Sequence, residues 1–199
     1  MQEKRSNLNR SQETCSALIE AARRLFIEKG YAATGTPEVV GQAGVTRGAL
    51  YHHYKDKQAL FQAVVEAEAA QIAREIETNS AHATTSVEGL IHGANDYFEA
   101  MRKPGRVRLL LLEGPAVLGP EEMRRIDMET GGRELRHGIE DALGGNASTI
   151  KIDICADLVS AMFDRAALAC DAGGDIKAYE NAIASLLSIL VQRTSEPLL

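Results

Sequence analysis

The stretch AGVTRGALYHHYKDKQALF occupies residues 43–61. Between Val45 and Leu60, its only large aliphatic residue is Leu50, and the others are small, polar or aromatic. A helix of this composition has little apolar surface to bury, although amphipathic segments flank it on both sides. We therefore expect its outer face to contact another molecule.

Two short helices are predicted on either side of Gly44–Val45. Thr36-Pro37-Glu38 indicates the start of the first, because proline suits the first helical position and an acidic residue suits the first turn. Thr46 can cap the second, which runs to about Tyr54. Since glycine adopts the positive φ of a tight turn without steric cost, the pattern predicts a helix-turn-helix.

Three residues are predicted to fill the small core between these helices: Val45, Leu50 and Tyr54. This arrangement leaves Arg47 outside, where it can bond guanine or phosphate. The neighbouring Gly48 and Ala49 are small enough for the backbone to approach a DNA duplex closely.

Three other side chains suit phosphate oxygens. Tyr51 and His52 offer rigid hydrogen-bonding tips, and Lys57 lies in the first turn of the next helix, where free backbone N–H groups favour an anion. Taken alone, the cluster Tyr51–Tyr54 is also typical of an ordinary solvated surface.

The charge distribution is uneven along the 199 residues. The net charge is −6, but residues 1–62 carry +3 and residues 63–199 carry −9. A basic segment on an acidic chain favours a local phosphate-binding surface.

Composition excludes several classes of protein. No window approaches the roughly 18 consecutive apolar residues of a membrane span, and the N-terminus lacks the apolar stretch of a signal peptide, so a cytoplasmic location is expected. The three cysteines are odd in number and far apart, which predicts reduced thiols and neither a disulfide nor a metal site. No cofactor is predicted.

Helical periodicity extends along nearly the whole chain, so the fold is predicted to be all-α. Outside the helix-turn-helix, the expected helices are Ser11–Lys29, 57–78, Val87–Arg102, Arg106–Leu112, Glu121–Gly138, Ile150–Asp171 and Ile176–Gln192. A break is expected at Gly131-Gly132, and a polar loop over Asn79–Ser86. Three regions are predicted: a flexible arm over residues 1–10, the helix-turn-helix DNA-binding domain over 11–62, and a larger C-terminal helical domain over 63–199.

The first of these domains resembles the DNA-binding domain of TetR-family transcriptional regulators of the TetR/AcrR type. The matching residues lie between about 12 and 62 and comprise Gly30-Tyr31-Ala32-Ala33-Thr34, Val39, Ala43-Gly44-Val45, Gly48–Tyr54, Lys57 and Leu60-Phe61. The resemblance implies an all-α homodimer with a homeodomain-like head and a helical body that binds a small molecule and dimerises through its last two helices.

Carried over by position, the resemblance implies a set of DNA contacts: Thr36, Thr46, Arg47, Gly48, Ala49, Tyr51, His52 and Lys57. Two positions depart from the family pattern. Phenylalanine is usual where Tyr54 stands, so its hydroxyl needs a partner. Serine or threonine is frequent where Gly35 stands, which leaves open whether Gly35 or Thr36 caps the second helix.

The C-terminal segment contains no GxSxG, Walker or HExxH motif, so no enzymatic activity is predicted. Polar and aromatic residues inside its apolar helices are the candidate ligand contacts: His92, Asn95, Phe98, Glu113, Met162 and Phe163. The alternative is that these residues are ordinary core or surface groups. The last two helices are predicted to bury apolar stripes that include Ile154, Leu158, Met162, Phe163, Ile176, Ile183, Leu186, Leu187 and Leu190.

The sequence therefore predicts a homodimeric transcriptional repressor that binds a pseudo-palindromic operator in duplex DNA and is released by an unknown small molecule. One alternative is a DNA-binding activator, or a regulator with no small effector. The other is a helical small-molecule-binding protein or enzyme whose basic head does not read DNA.

Overall fold

The computed structural model describes residues 2–79, 85–144 and 149–194, and within these ranges every regular element is helical. The helices are α1 Gln2–Lys29, α2 Thr36–Ala43, α3 Arg47–His53, α4 Lys57–Asn79, α5 Ser86–Met101, α6 Gly114–Leu118, α7 Pro120–Glu129, α8 Gly131–Ala142, α9 Thr149–Asp171 and α10 Ile176–Thr194. A π-helical turn, Arg108–Glu113, leads into α6. The predicted all-α class is confirmed, and most of the predicted loop, residues 80–84, lies outside the described residues.

The first helix is longer than the sequence predicts. It begins at Gln2 instead of Ser11, so the helix also covers residues 2–10, for which the sequence predicted an arm. No glycine or proline interrupts this segment, and extending an existing helix costs much less than nucleating one. The domain limits proposed from the sequence stay a prediction, and α4 crosses the limit at residue 62.

One hydrophobic core joins α1–α3, here called the head, to the first half of α4. Phe26 of α1 and Phe61 of α4 are fully buried, with their ring centroids 5.1 Å apart in an edge-to-face arrangement. Leu50 of α3 is also fully buried in this core. Since complete burial of such side chains stabilises by roughly 1.5–3 kcal/mol each, the head is held mainly by apolar packing.

A second core unites α5, α8, α9 and α10, here called the body, and includes Phe98, Ile139, Phe163 and Leu187. Four apolar side chains on α9 and α10 instead point away from it, with exposed fractions of 55% for Ile154, 64% for Leu158, 52% for Leu186 and 51% for Ile189. The expected burial of Ile154, Leu158 and Leu186 is therefore wrong for the single chain, because these helices carry two apolar faces.

A buried ionic network connects the head to the body through α4. Arg106, which is 2% exposed, donates hydrogen bonds to Glu68 Oε1 at 2.6 Å and to Glu75 Oε2 at 2.7 Å. Arg23 of α1 also donates to Glu68. Burial raises the pKa of Glu68, but the hydrogen bonds from these arginines outweigh that effect and hold the pKa below its ordinary value. Glu68 is thus a charged contact shared by α1, α4 and the segment after α5.

Candidate DNA-binding face and ligand cavity

The turn between α2 and α3 has the geometry predicted from the sequence. Gly44 has a φ of +66°, and the N–H of Val45 donates to Val40 O at 3.1 Å. Thr46 then caps α3 by accepting a hydrogen bond from the Ala49 N–H at 3.1 Å. These local contacts fix the angle at which α3 leaves the turn.

The burial pattern of α3 separates a core face from an outer face. Leu50 is fully buried, whereas Arg47, Gly48 and His52 are exposed and Tyr51 is 42% exposed. Two more of the candidate contacts, the exposed Thr46 and the half-buried Ala49, belong to the first turn of this helix. The helix therefore presents a polar surface with small residues at its N-terminal end.

Three of the predicted DNA contacts form a cluster on this face. The Arg47 guanidinium carbon lies 5.5 Å from the centre of the Tyr51 ring, and the Tyr51 hydroxyl is 3.3 Å from Thr36 Oγ1. Hydrogen bonds with Thr36 and Arg47 lower the pKa of Tyr51. The cluster joins the first turn of α2 to α3 and orients two hydrogen-bonding side chains outward.

The N-cap of α2 is Gly35, and Thr36 is the first helical residue. Gly35 has an extended backbone and supplies its carbonyl to the Val39 N–H at 3.2 Å, but it has no side chain to cap the helix. The Thr36 hydroxyl is consequently available to Tyr51 instead of the helix backbone.

Lys57 is less free than the sequence suggests. Its Nζ donates to Tyr31 O at 2.8 Å and to Thr34 O at 3.1 Å, and it lies 4.1 Å from the centre of the Tyr31 ring. An ammonium group has three donors, so one is left for another acceptor. Lys57 thus links α4 to the corner between α1 and α2. Its contact with phosphate stays a prediction.

Tyr54 finds the partner that its hydroxyl requires. It packs half-buried against the head core and hydrogen-bonds with the Cys15 side chain of α1. Burial, together with Cys15, raises the pKa of Tyr54 to about 12. The hydroxyl therefore stays neutral, and the residue closes the core as predicted.

A cavity of about 950 Å³ lies between α4, α5, α7, α8 and α9. Most of its wall is apolar, with Ile72 and Ile76 from α4, Leu135 from α8 and Phe163 from α9. Its volume lies at the upper end of the range typical of small-molecule sites.

Of the six candidate ligand contacts, only Phe163 lines this cavity. Phe98 and Met162 pack in the body core, and His92 and Asn95 lie on α5 outside the cavity lining. Glu113 lies at the junction with the head, where its carboxylate accepts hydrogen bonds from the Tyr31 N–H at 2.9 Å and from Arg108.

Three residues of the polar centre of the cavity, Tyr97, Asp127 and Ser160, were identified only in the structure. Tyr97 donates to Asp164 Oδ1 at 2.6 Å, and Ser160 donates to Asp127 Oδ2 at 3.1 Å. Burial and the nearby Asp164 charge raise the pKa of Asp127 to about 6, while burial also raises the pKa of Asp164. The available signal in the sequence was a polar residue on an apolar helical face, as with Tyr97 between Ala94 and Met101.

Within the described residues, no helix combines the length and apolar character needed to cross a membrane. No group of three metal-ligating side chains is found in the same part of the chain.

Comparison with known protein families gives matches to two segments of the chain. Residues 18–64 match the family described as bacterial regulatory proteins, tetR family, and residues 87–193 match the tetracyclin repressor-like, C-terminal domain. This chain belongs to the tetR family. The helix-turn-helix lies within the first matched segment, and most of the cavity lining lies within the second.

Individual relatives of this tetR-family chain match it over different lengths. The transposon Tn10 TetC protein of Escherichia coli is 32% identical over 129 residues, which is 62% of this chain and 64% of TetC. The HTH-type transcriptional regulator AcrR of Shigella flexneri is 42% identical over 62 residues, which is 31% of this chain and 29% of AcrR. The chain therefore spans less than two thirds of the lengths of these curated relatives.

A solved structure resembles the tetR-family fold over nearly the full chain. It is a TetR-family transcriptional regulator from Pectobacterium atrosepticum, with 29% identity and a TM-score of 0.68 over 92% of this chain and 94% of that chain.

Proposed function

We propose that this tetR-family chain is a homodimeric transcriptional repressor that binds duplex DNA through the outer face of α3 and is released by a small molecule bound in the cavity. The observation that carries the proposal is the division of α3 into a fully buried Leu50 and an exposed polar face with Arg47, Tyr51 and His52. A helix held in this way is suited to the major groove, where Arg47 would bond a base edge or a phosphate.

Two-fold pairing of the chain is supported by the exposed apolar residues of α9 and α10. Ile154 and Leu158 are four residues apart on α9, and Leu186 and Ile189 are three residues apart on α10, so each pair forms a stripe along its helix. Two chains would bury these stripes in a four-helix interface. A symmetric dimer would present two copies of α3 to half-sites about one DNA turn apart.

Control by a small molecule is supported by the position of α4. Its first turn holds the head through Lys57, and its second half lines the cavity through Ile72 and Ile76. A ligand that favours a different tilt of α4 would change the separation of the two heads. Coupling of typically about 1–3 kcal/mol would be enough for release, and operator DNA would weaken ligand binding by the same factor.

Selection from a randomised duplex library tests the DNA-binding step directly. The expected result is enrichment of a pseudo-palindrome whose affinity falls steeply as salt rises, because Lys and Arg contacts release counterions. A reporter promoter that overlaps the selected site should then be repressed by the chain. Failure to enrich any sequence, or binding that does not depend on salt, would contradict the proposal.

A further inference from the structure

The charges that line the cavity are strongly unbalanced. Six lining residues are acidic: Glu77, Asp127, Glu134, Asp141, Asp157 and Asp164. Among the described lining residues the only Lys or Arg is Arg124, which pairs with Asp157 at 3.4 Å where both side chains are more than half exposed. The single basic group is therefore already engaged at the solvent-facing edge.

The two inner carboxylates receive only neutral hydrogen bonds from the residues that the structure describes. Asp127 accepts from the Ser160 hydroxyl and the Gly132 N–H, and Asp164 accepts from the Tyr97 hydroxyl. Neither forms an ion pair with a described Lys, Arg or His. A buried anion without a counter-charge is costly, and a cation beside it would relieve that cost.

The aromatic wall of the cavity provides a second, independent feature. Tyr97 and Phe163 both line it, with ring centroids 5.8 Å apart and planes inclined by 33°. Aromatic faces attract organic cations, most strongly where water is excluded. The surrounding aliphatic wall accommodates the apolar part of such a molecule.

We propose that the cavity binds a lipophilic organic cation whose charge lies beside Asp127 and Asp164 and whose apolar groups contact Tyr97, Phe163 and the aliphatic wall. This inference rests on the proposed role of the cavity as the effector site and adds the chemical class of the effector. An anion of the same size would meet uncompensated carboxylates. A neutral molecule would leave both of them without a counter-charge.

The pair tetraphenylphosphonium and tetraphenylborate tests this inference, because the two ions have nearly the same shape and opposite permanent charge. Isothermal titration calorimetry of the full chain at pH 7.5 should give at least about tenfold tighter binding of tetraphenylphosphonium. In the double variant Asp127→Asn/Asp164→Asn, the ratio of the affinities for the two ions should fall at least about tenfold. Thermal melting verifies that this variant is folded. Asp171→Asn is the matched control, since this exposed α9 residue is outside the cavity lining.

The pH dependence of the unaltered chain provides a test without substitution. Asp127 faces Asp157, Ser160 and Asp164 from α9, Gly132 from α8 and Tyr97 from α5. Glu134 of α8 and Arg124 of α7 line the same cavity. Because the phosphonium cannot titrate, the change must come from the protein. With the pKa of Asp127 at about 6, the affinity for tetraphenylphosphonium should fall by about fourfold from pH 7.5 to pH 5.5.

Equal binding of the two ions, preference for the borate, or no binding of either ion by the folded chain would overturn the inference. If the chain still selects a DNA sequence in those cases, the DNA-binding proposal stands. If carboxylate-dependent phosphonium binding is found in a chain that selects no DNA, the cation site stands and the repressor proposal fails.

Discussion

At Gly44 the requirement for glycine comes from the backbone alone. Its φ is +66°, and a Cβ placed there would have no neighbour within 4 Å. A side chain would therefore fit in space but would strain a left-handed conformation that costs ordinary residues about 1–2 kcal/mol.

We expect Gly44→Ala to lower the free energy of unfolding by about 1–2 kcal/mol, and Gly44→Asn to lower it less because asparagine tolerates this conformation. Urea denaturation followed by circular dichroism measures both. Gly41→Ala is the matched control, since Gly41 lies within α2 with nothing within 4 Å of an added Cβ. That control should gain about 0.5–1 kcal/mol of stability. Equal stability of the two alanine variants would contradict the role assigned to the turn.

The ionisation of the Asp127 carboxyl should make the stability of the folded chain depend on pH. Its pKa is raised to about 6, so the protonated form is favoured in the folded chain. The resulting stabilisation is complete below the ordinary pKa near 4 and is lost as the pH rises through 6. At pH 7.5 the ionised carboxylate therefore destabilises the ligand-free protein.

We expect Asp127→Asn to raise the free energy of unfolding at pH 7.5 by up to about 3 kcal/mol, with the gain disappearing near pH 4. Urea titrations at several pH values measure this difference. Asp157→Asn serves as the control and should give a much smaller gain, because Asp157 is more than half exposed and pairs with Arg124. A gain for Asp127→Asn that is independent of pH would show that its origin is not ionisation.

At the scale of elements, α3 and α4 contribute to DNA binding in different ways. Arg47 is exposed on α3, whereas Lys57 on α4 donates two hydrogen bonds to carbonyl groups of the α1–α2 corner. Arg47→Ala should therefore leave stability unchanged and cost about 1–3 kcal/mol on a specific site if the side chain reads a base.

Lys57→Ala should instead lower the free energy of unfolding by about 2 kcal/mol, because charge-assisted hydrogen bonds are lost. Its weaker DNA binding should be similar for specific and random duplexes. Urea denaturation and gel-shift titrations across salt separate the two variants, and Lys55→Ala at an exposed position is the control. Unchanged stability in Lys57→Ala would show that the two carbonyl contacts contribute little.

The helices could be predicted from the sequence because their signals are local. Apolar spacing, the Thr36-Pro37 start and the glycine at 44 are each contained within a few residues. The cavity could not be predicted in the same way, since its lining depends on how five helices pack. His92 and Tyr97 are both polar residues on α5, but only Tyr97 lines the cavity, where it donates to Asp164 of α9.

The cavity itself can be tested through Gly93 of α5. An added Cβ at this lining position would meet only Ile76, at 3.9 Å, so a larger side chain has room in the cavity. We expect Gly93→Phe to remain folded and to keep its operator affinity, while tetraphenylphosphonium binding falls at least about tenfold. Melting curves, gel shifts and calorimetry measure the three properties.

Gly138→Phe is the contrasting variant, because a Cβ there would lie 2.8 Å from Leu90 Cδ2. It should lose stability by overpacking, typically by about 1–3 kcal/mol. Unfolding of Gly93→Phe to the same extent would mean that this part of the wall is already filled.

At the scale of the whole molecule, the outward stripes of α9 and α10 distinguish an isolated chain from a dimer. Periodicity predicted that these helices are apolar, but it did not separate the face that packs within the chain from the face that remains outside. Leu187 is buried in the body core, while its neighbour Leu186 is 52% exposed. A charged substitution at Leu187 would therefore test whether the chain folds. Only substitutions at the outward residues can test whether two chains associate.

We expect the unaltered chain at micromolar concentration to scatter light with twice its chain mass of 21.5 kDa. Leu158→Glu should yield a folded monomer, because the new charge would be buried at the interface of a dimer but remains in water on the single chain. Leu187→Glu should unfold the chain. The monomeric Leu158→Glu variant should also lose affinity for the pseudo-palindrome but not for an isolated half-site, since one head binds only one half. A monomeric unaltered chain, or a Leu158→Glu dimer with unchanged affinity, would refute pairing through α9 and α10.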